Sequence, residues 1–326
     1  MDSFLFSVNA VLPIILMVAL GYCLRRMGFI NEDFAKKGNK LVFRVFLPTM
    51  LFLNVYNIEA SMDIGVTYIL FAVVATFVFY FVGILISYVA TKEQKRRAPF
   101  IQAVFRSNYA LIGIPLAEAF YGKEGVAVAA LLSAVSIPLF NVLAVVTFAV
   151  FADGEKPSVK KIFRDIVTNP LIIGVGLGVV MLLLKNWLAS VGVTETLADV
   201  TPIYKFLNYL SNMATPLALI VLGAQFEFSA IPGMKREIII STLMRIIIVP
   251  TVAIGVAVIS GLFGGAHIAA FVALFGTPVA VSTVPMTQEL GGDSAFAGQL
   301  VVWTTLLSGI TLFLFSFALK AIGVFG

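Results

Sequence analysis

The sequence predicts an all-α polytopic membrane protein with ten transmembrane helices in two inverted five-helix repeats, helices 4 and 9 being broken and crossed. Three observations predict it. Apolar residues fill 60% of the 326 positions and charged residues 12%, with 29 Phe and a mean hydropathy of +1.04, far above the apolar share of an ordinary soluble domain. Apolar runs recur from end to end, and they are too long for barrel strands of roughly 9–11 residues. Finally, two Gly-X-Pro stretches, Gly113-Ile114-Pro115 and Gly276-Thr277-Pro278, lie inside such runs, with 163 residues between matching positions.

The elements follow in order. Span 1 covers about residues 8–24, contains Pro13 and closes at Arg25 and Arg26. It has no basic leader and no small-residue cleavage pattern, so it reads as a retained span. Span 2 runs over about 41–58 with Pro48 and Asn54, and span 3 over about 64–90, long enough to tilt. Span 4, about 100–121, carries Arg106, Asn108 and Glu118 around the first Gly-X-Pro. Gly122-Lys123-Glu124-Gly125 forms a tight turn into span 5, about 126–151, with Pro138 and Asn141. A polar linker begins at Asp153. Span 6, about 166–184, starts at Asn169-Pro170 and carries Gly174, Gly176 and Gly178, which read as small-residue helix packing rather than a nucleotide loop. Span 7 is about 203–224, span 8 about 238–262 with Arg245 and Pro250, and span 9 about 267–287 with the second Gly-X-Pro. Gly291-Gly292-Asp293 turns the chain into span 10, about 296–319.

Loops after odd-numbered spans, with Arg44 flanking the first of them, hold 16 of the 22 basic residues. By the positive-inside rule they are cytoplasmic, and both termini fall outside a cell membrane. Ten spans divide into residues 1–151, a cytoplasmic linker 152–165, and residues 166–326. Five spans per half give the halves opposite orientations. Pro13 pairs with Pro170, Pro48 with Pro216 and Pro115 with Pro278.

A proline lacks an N–H and its ring clashes with a preceding carbonyl, so each Gly-X-Pro predicts a broken helix. Broken helices in matching halves mark transport sites: half-helix N-termini attract anions and C-terminal carbonyls attract cations. The candidate substrate-binding residues are Arg106, Asn108, Gly113, Pro115, Gly276, Thr277 and Pro278. Arg106 either pairs with a substrate carboxylate or snorkels to the membrane surface. Asn108 offers uncharged donors and an acceptor to substrate or to freed backbone. Glu118, Ser282 and Thr283 are candidates for a coupling ion or proton, Glu118 alternatively being an anchor near the outer surface. Arg245, deep in span 8, needs an acidic residue, carbonyls or water.

Other chemistry is poorly served. Cys23 is the one cysteine and His267 the one histidine, so no intramolecular disulfide or thiolate metal site exists. No metal-ligand spacing, hydrolase or kinase motif is present. No cofactor is expected beyond a possible coupling H+ or Na+. The net charge of +5 gives no case for nucleic acid, because the basic residues sit between spans. The expected partners are a small organic anion and the lipid bilayer, with a homodimer left open.

Four segments carry a family resemblance: NAVLPIILMVALGYCLRRMGFI (Asn9 to Ile30), LVFRVFLPTMLFLN (Leu41 to Asn54), FRSNYALIGIPLAEAFYG (Phe105 to Gly122) and ALFGTPVAVSTVPMTQELGG (Ala273 to Gly292). Together they resemble the auxin efflux carrier family of bacterial and plant permeases, over essentially the whole chain. The resemblance implies a fold shared with sodium/bile-acid symporters, a scaffold from spans 1, 2, 6 and 7, and a mobile transport domain from spans 3–5 and 8–10 moving like an elevator. Pro115 and Pro278 match the family's crossover prolines, and Asn108 is similar to the polar residue before the first crossover. The short linker resembles the bacterial branch, whose described members carry malate, malonate or related anions. Secondary active transport of a small mono- or dicarboxylate is therefore expected. A passive organic-anion channel or a membrane-embedded binding protein is the alternative; saturable uptake with counterflow separates them.

Overall fold

The structure, a computed structural model, describes residues 2–57, 66–151, 159–193 and 195–325. It is helical throughout, and the described residues contain one isolated β-bridge and no strand element. The chain runs through α1 (Asp2–Arg26), α2 (Glu32–Leu41), α3 (Leu47–Tyr56), α4 (Val66–Ala90), α5 (Gln94–Phe105), α6 (Ile114–Phe151), α7 (Val159–Val167), α8 (Pro170–Ser190), α9 (Thr201–Gln225), α10 (Lys235–Leu243), α11 (Val249–Ser260), α12 (Gly265–Gly276), α13 (Thr283–Glu289) and α14 (Ser294–Ala321). Six stretches are long and apolar enough to cross a membrane: Val66–Ala90, Tyr109–Phe151, Pro170–Ser190, Thr201–Gln225, Phe228–Ser260 and Ser294–Ala321. The outside is apolar as well: Leu70, Val74, Phe81 and Leu85 of α4 and Leu177, Val180 and Trp187 of α8 are exposed. Polar side chains collect inside instead, an arrangement that suits a hydrocarbon solvent. The chain is a multi-pass membrane protein.

The prolines act through an unexpected device. Three five-residue π-helical turns, Val42–Phe46, Tyr109–Gly113 and Met244–Ile248, each end two residues before a proline: Pro48, Pro115 and Pro250. In each, the residue before the proline reaches back five positions, as Ile114 N–H does to the Tyr109 carbonyl. The wider turn gives the ring room where an α-turn would clash, so the helix continues. Pro115 therefore does not break its helix, contrary to the sequence expectation. The break lies upstream, at Arg106–Asn108, between α5 and the Tyr109–Gly113 turn. Pro278 does act as expected. Thr277 before it is extended (φ −74°, ψ 155°) and α12 stops at Gly276, as a residue preceding proline favours.

The two breaks therefore meet at positions other than the two Gly-X-Pro stretches. The two arms that meet the breaks, α5 and α12, are each 12 residues long and end at Phe105 and Gly276. Ser107 bridges Val279 in antiparallel fashion, and Asn108 N–H donates to the Pro278 carbonyl at 2.7 Å. It is Ser107 and Asn108, not Gly113 and Pro115, that bond the Pro278–Val279 segment. Both glycine turns are present: Gly122 (φ +57°) interrupts α6, and Gly291 (φ +79°) separates α13 from α14.

Helix packing is tight where glycine allows it. α3 packs on α8 and α1 on α9. A Cβ on Gly174 would stand 2.5 Å from the Pro48 carbonyl oxygen, and one on Gly178 2.9 Å from that of Phe52. The small-residue reading thus holds at those two positions, while Gly176 faces open space. α4, α5, α6, α10, α11, α12 and α14 pack among themselves. Arg96 ties this second group at the basic end, donating to Asp293 Oδ2 at 3.0 Å, to Glu237 Oε1 at 3.2 Å and to the Gly233 carbonyl at 2.9 Å. Of the expected linker, residues 152–158 lie outside the described residues. From Val159 the linker is helical, as α7.

Candidate functional site

The two breaks cross beside a cavity. Its wall on one side is α3 and α9, through Leu47, Met50, Asn54 and Thr215; on the other it is Arg106, Asn108, Asn141 of α6 and Ser282. Its free space is about 60 Å³, room for a few waters.

Arg106 dominates the wall. It is 4% exposed and meets four neutral acceptors: Gln102 Oε1 at 2.8 Å, Met286 Sδ at 3.1 Å, Asn141 Oδ1 at 2.8 Å and Ser282 Oγ at 3.0 Å. This is not a snorkelling arginine, because its guanidinium points inward to buried partners. Among the described residues the buried charged side chains are Arg106 and Arg245, and both are cations. Neutral acceptors satisfy hydrogen bonds without cancelling charge, so the crossover keeps a positive field.

Asn108 stands next to Arg106 and is 4% exposed. Its backbone is spent on Pro278, yet its side-chain Nδ2 has no protein partner. Ser107 Oγ, Gln102 Nε2 and Thr283 Oγ1 are likewise buried and unpartnered. Such groups are costly in a low-dielectric interior unless ligand or water meets them.

The other expected residues divide. Ser282 lines the cavity and accepts from Arg106. Thr277 is fully buried, and its hydroxyl donates to the Ala273 carbonyl at 2.9 Å, inside α12. Pro278 contributes its carbonyl to Asn108. Gly113 and Gly276 are packing positions: a Cβ on Gly113 would stand 2.9 Å from the Ala273 carbonyl oxygen, and one on Gly276 3.1 Å from Leu312. Pro115 and Glu118 are exposed, and neither lines the cavity. Glu118 lies three turns beyond Arg106, so it joins no cluster with Arg106, Asn108 or Ser282. His267 lies ten residues before the second break, edge-on to Tyr68 with ring centroids 4.8 Å apart.

Gln102 and Met286 are members the sequence reading missed. Gln102 had a signal: a lone amide four residues before an arginine in an apolar helix shares its face. Met286 had none, because its contact arises from the crossing. Arg245 takes the carbonyl option left open for it: it donates to Val104 O at 3.1 Å, to Leu274 O at 3.4 Å and to Phe275 O.

Comparison with known proteins agrees with this architecture. A family model described as "Membrane transport protein" matches residues 6–316. A protein of Methanothermobacter thermautotrophicus named "uncharacterized transporter" is 24% identical over 323 residues, spanning 97% of this chain and 99% of that one. An "uncharacterized transporter" of Methanocaldococcus jannaschii is 25% identical over 259 residues, 76% of this chain and 78% of its own. With a family match over nearly its whole length, the chain belongs to the membrane transport proteins of the auxin efflux carrier family and is a transporter rather than an enzyme.

Proposed function

We propose that this transporter carries a small organic anion, a mono- or dicarboxylate such as malate or malonate, bound at the crossover by Arg106 and Asn108. One observation carries the reading: Arg106 is buried beside a cavity with four neutral partners. An uncompensated cation of this kind favours an incoming carboxylate, which can displace the weakest acceptors, the Met286 thioether and the Ser282 hydroxyl. The Asn108 amide supplies a neutral donor beside it.

Transport follows by elevator-type alternating access. The ten-span reading counts α1, α2 with α3, the arm pair flanking Arg106–Asn108, and the pair α12 and α13 besides the long helices. At 12 residues α12 rises roughly 18 Å, short of the hydrocarbon core, so α12 and α13 together make one span. The packing supports a scaffold of α1–α3, α8 and α9 and a mobile unit of α4–α6 and α10–α14, in two inverted repeats. The basic end, with Arg25, Lys95 and Lys235, faces the cytoplasm and both termini face out. At that end, scaffold and mobile unit are joined through Gln288, which accepts from Asn39 at 2.6 Å and from Gln225 at 3.1 Å, and by Arg44 beside Glu289 at 3.4 Å. These contacts close the cytoplasmic path and break when the mobile unit travels. The test is thermal unfolding of the purified protein against a panel of carboxylates, amines and neutral sugars. Stabilisation by malate or malonate but not by the uncharged panel supports the reading; stabilisation by amines alone defeats it.

A further inference from the structure

Arg245 has a chemical role that its place in the fold makes legible. It lies in the π-turn Met244–Ile248, is 0% exposed and does not line the cavity. One of its terminal nitrogens donates to the Val104 carbonyl in the last turn of α5. The other donates to the Leu274 and Phe275 carbonyls in the last turn of α12. These carbonyls are free because both arms stop at the breaks, α5 at Phe105 and α12 at Gly276. Each arm's C-terminal end carries roughly −0.5 of an elementary charge, and the two converge on one guanidinium of +1. The charges balance, with no carboxylate among the buried described residues.

Half-helix C-terminal ends of this kind are where discontinuous transporter helices coordinate a coupling Na+. We propose that Arg245 is a tethered cation standing where a coupling sodium ion would otherwise sit, so that assembly of the crossover and substrate binding there need no Na+. The geometry explains why one crossover holds two buried arginines. Arg245 neutralises the carbonyl ends, and Arg106 is left free to hold an anion. The substrate half of this inference rests on the organic-anion reading; the cation half does not.

The test uses the full-length protein in detergent, with thermal unfolding and labelled-malate binding each measured in sodium, choline and guanidinium chloride at equal low ionic strength. The wild-type protein is expected to unfold at the same temperature, and to bind malate equally, in sodium and choline. Arg245→Ala is expected to lose roughly 5–10 °C in choline and to regain most of it with millimolar guanidinium or Na+, which can enter the vacated space. Arg245→Met fills that space without charge, so neither ion should rescue it. Arg245→Lys keeps the charge and is expected to bind malate in choline within about tenfold of wild type. Three outcomes overturn the proposal: sodium-dependent stability or malate binding of the wild-type protein, an Arg245→Ala variant as stable as wild type in choline, or equal rescue of Arg245→Met. If Arg245→Ala does not fold, the wild-type sodium comparison and Arg245→Lys decide. A wild-type protein that binds no malate contradicts the organic-anion reading alone, and the unfolding temperatures still decide the role of Arg245.

Discussion

Replacing Arg106 with glutamine removes the charge while keeping a side chain that can hydrogen-bond Ser282 or Asn141. In the wild-type protein the guanidinium is pre-aimed by Gln102, Asn141, Ser282 and Met286, at 2.8 to 3.1 Å, so little ordering remains to be done when a carboxylate arrives. Loss of a buried charge-assisted contact costs about 2–4 kcal/mol, roughly 30- to 700-fold in affinity. A dicarboxylate can place one carboxylate on Arg106 and the other on the Asn108 amide, whereas a monocarboxylate must share its single group. Arg106→Gln should therefore weaken malate by about tenfold more than lactate. Arg106→Lys, which keeps the charge but not the planar fork, should fall between wild type and Arg106→Gln. The assay is competition uptake into proteoliposomes at fixed pH. Equal losses for malate and lactate would refute the reasoning and leave Arg106 as a residue that only organises the break.

Asn108→Ala should weaken both acids, by roughly 10- to 150-fold for one hydrogen bond to a carboxylate; unchanged competition by either acid removes the amide from the site. Pro278→Ala should cut transport strongly, since α12 then has no local reason to stop, while Pro115→Ala should leave most of it, because the break does not depend on Pro115; uptake rates at matched expression compare them. Glu118→Gln should leave pH-gradient-driven accumulation unchanged, its carboxylate being exposed and remote from the crossing; a lost gradient response would return it to the coupling path. On a Cys23→Ser background, Gln288→Leu should raise thiol labelling of a cysteine at Asn54 from the basic side by roughly 5- to 30-fold, the loss of one or two hydrogen bonds from the closed state; unaltered labelling would show that the Asn39–Gln225–Gln288 cluster closes nothing.

Much of the architecture was legible because a bilayer imposes it. Apolar run length places helices, and basic residues mark one end. The glycines at 122 and 291 announced the turns that follow the crossing. The second break was legible too, since Pro278 acts on its own neighbours. The first break was not. Arg106-Ser107-Asn108 contains no residue that stops a helix by local chemistry; it is held open by the bridge to Val279 and the bond to Pro278, contacts 170 to 172 positions away. The nearby Pro115 attracted the assignment, and sequence could not show that a π-turn would absorb it. The same limit applied to side chains. Arg106 and Asn108 stood out as polar residues in an apolar run, and both reach the cavity. Glu118 stood out equally and faces outward, because helix rotation beyond a π-turn cannot be counted at 3.6 residues per turn. Arg245 advertised a need for partners, but its partners are carbonyls, which every residue has.

The most direct test of the central claim is counterflow of labelled malate into proteoliposomes preloaded with unlabelled malate or with an uncharged analogue. A carrier whose crossover binds the anion through Arg106 should show saturable uptake, accelerated by internal malate, unaffected by the uncharged analogue and lost in Arg106→Gln. Uptake that rises linearly with concentration, ignores the internal solute, or persists in Arg106→Gln would contradict the account.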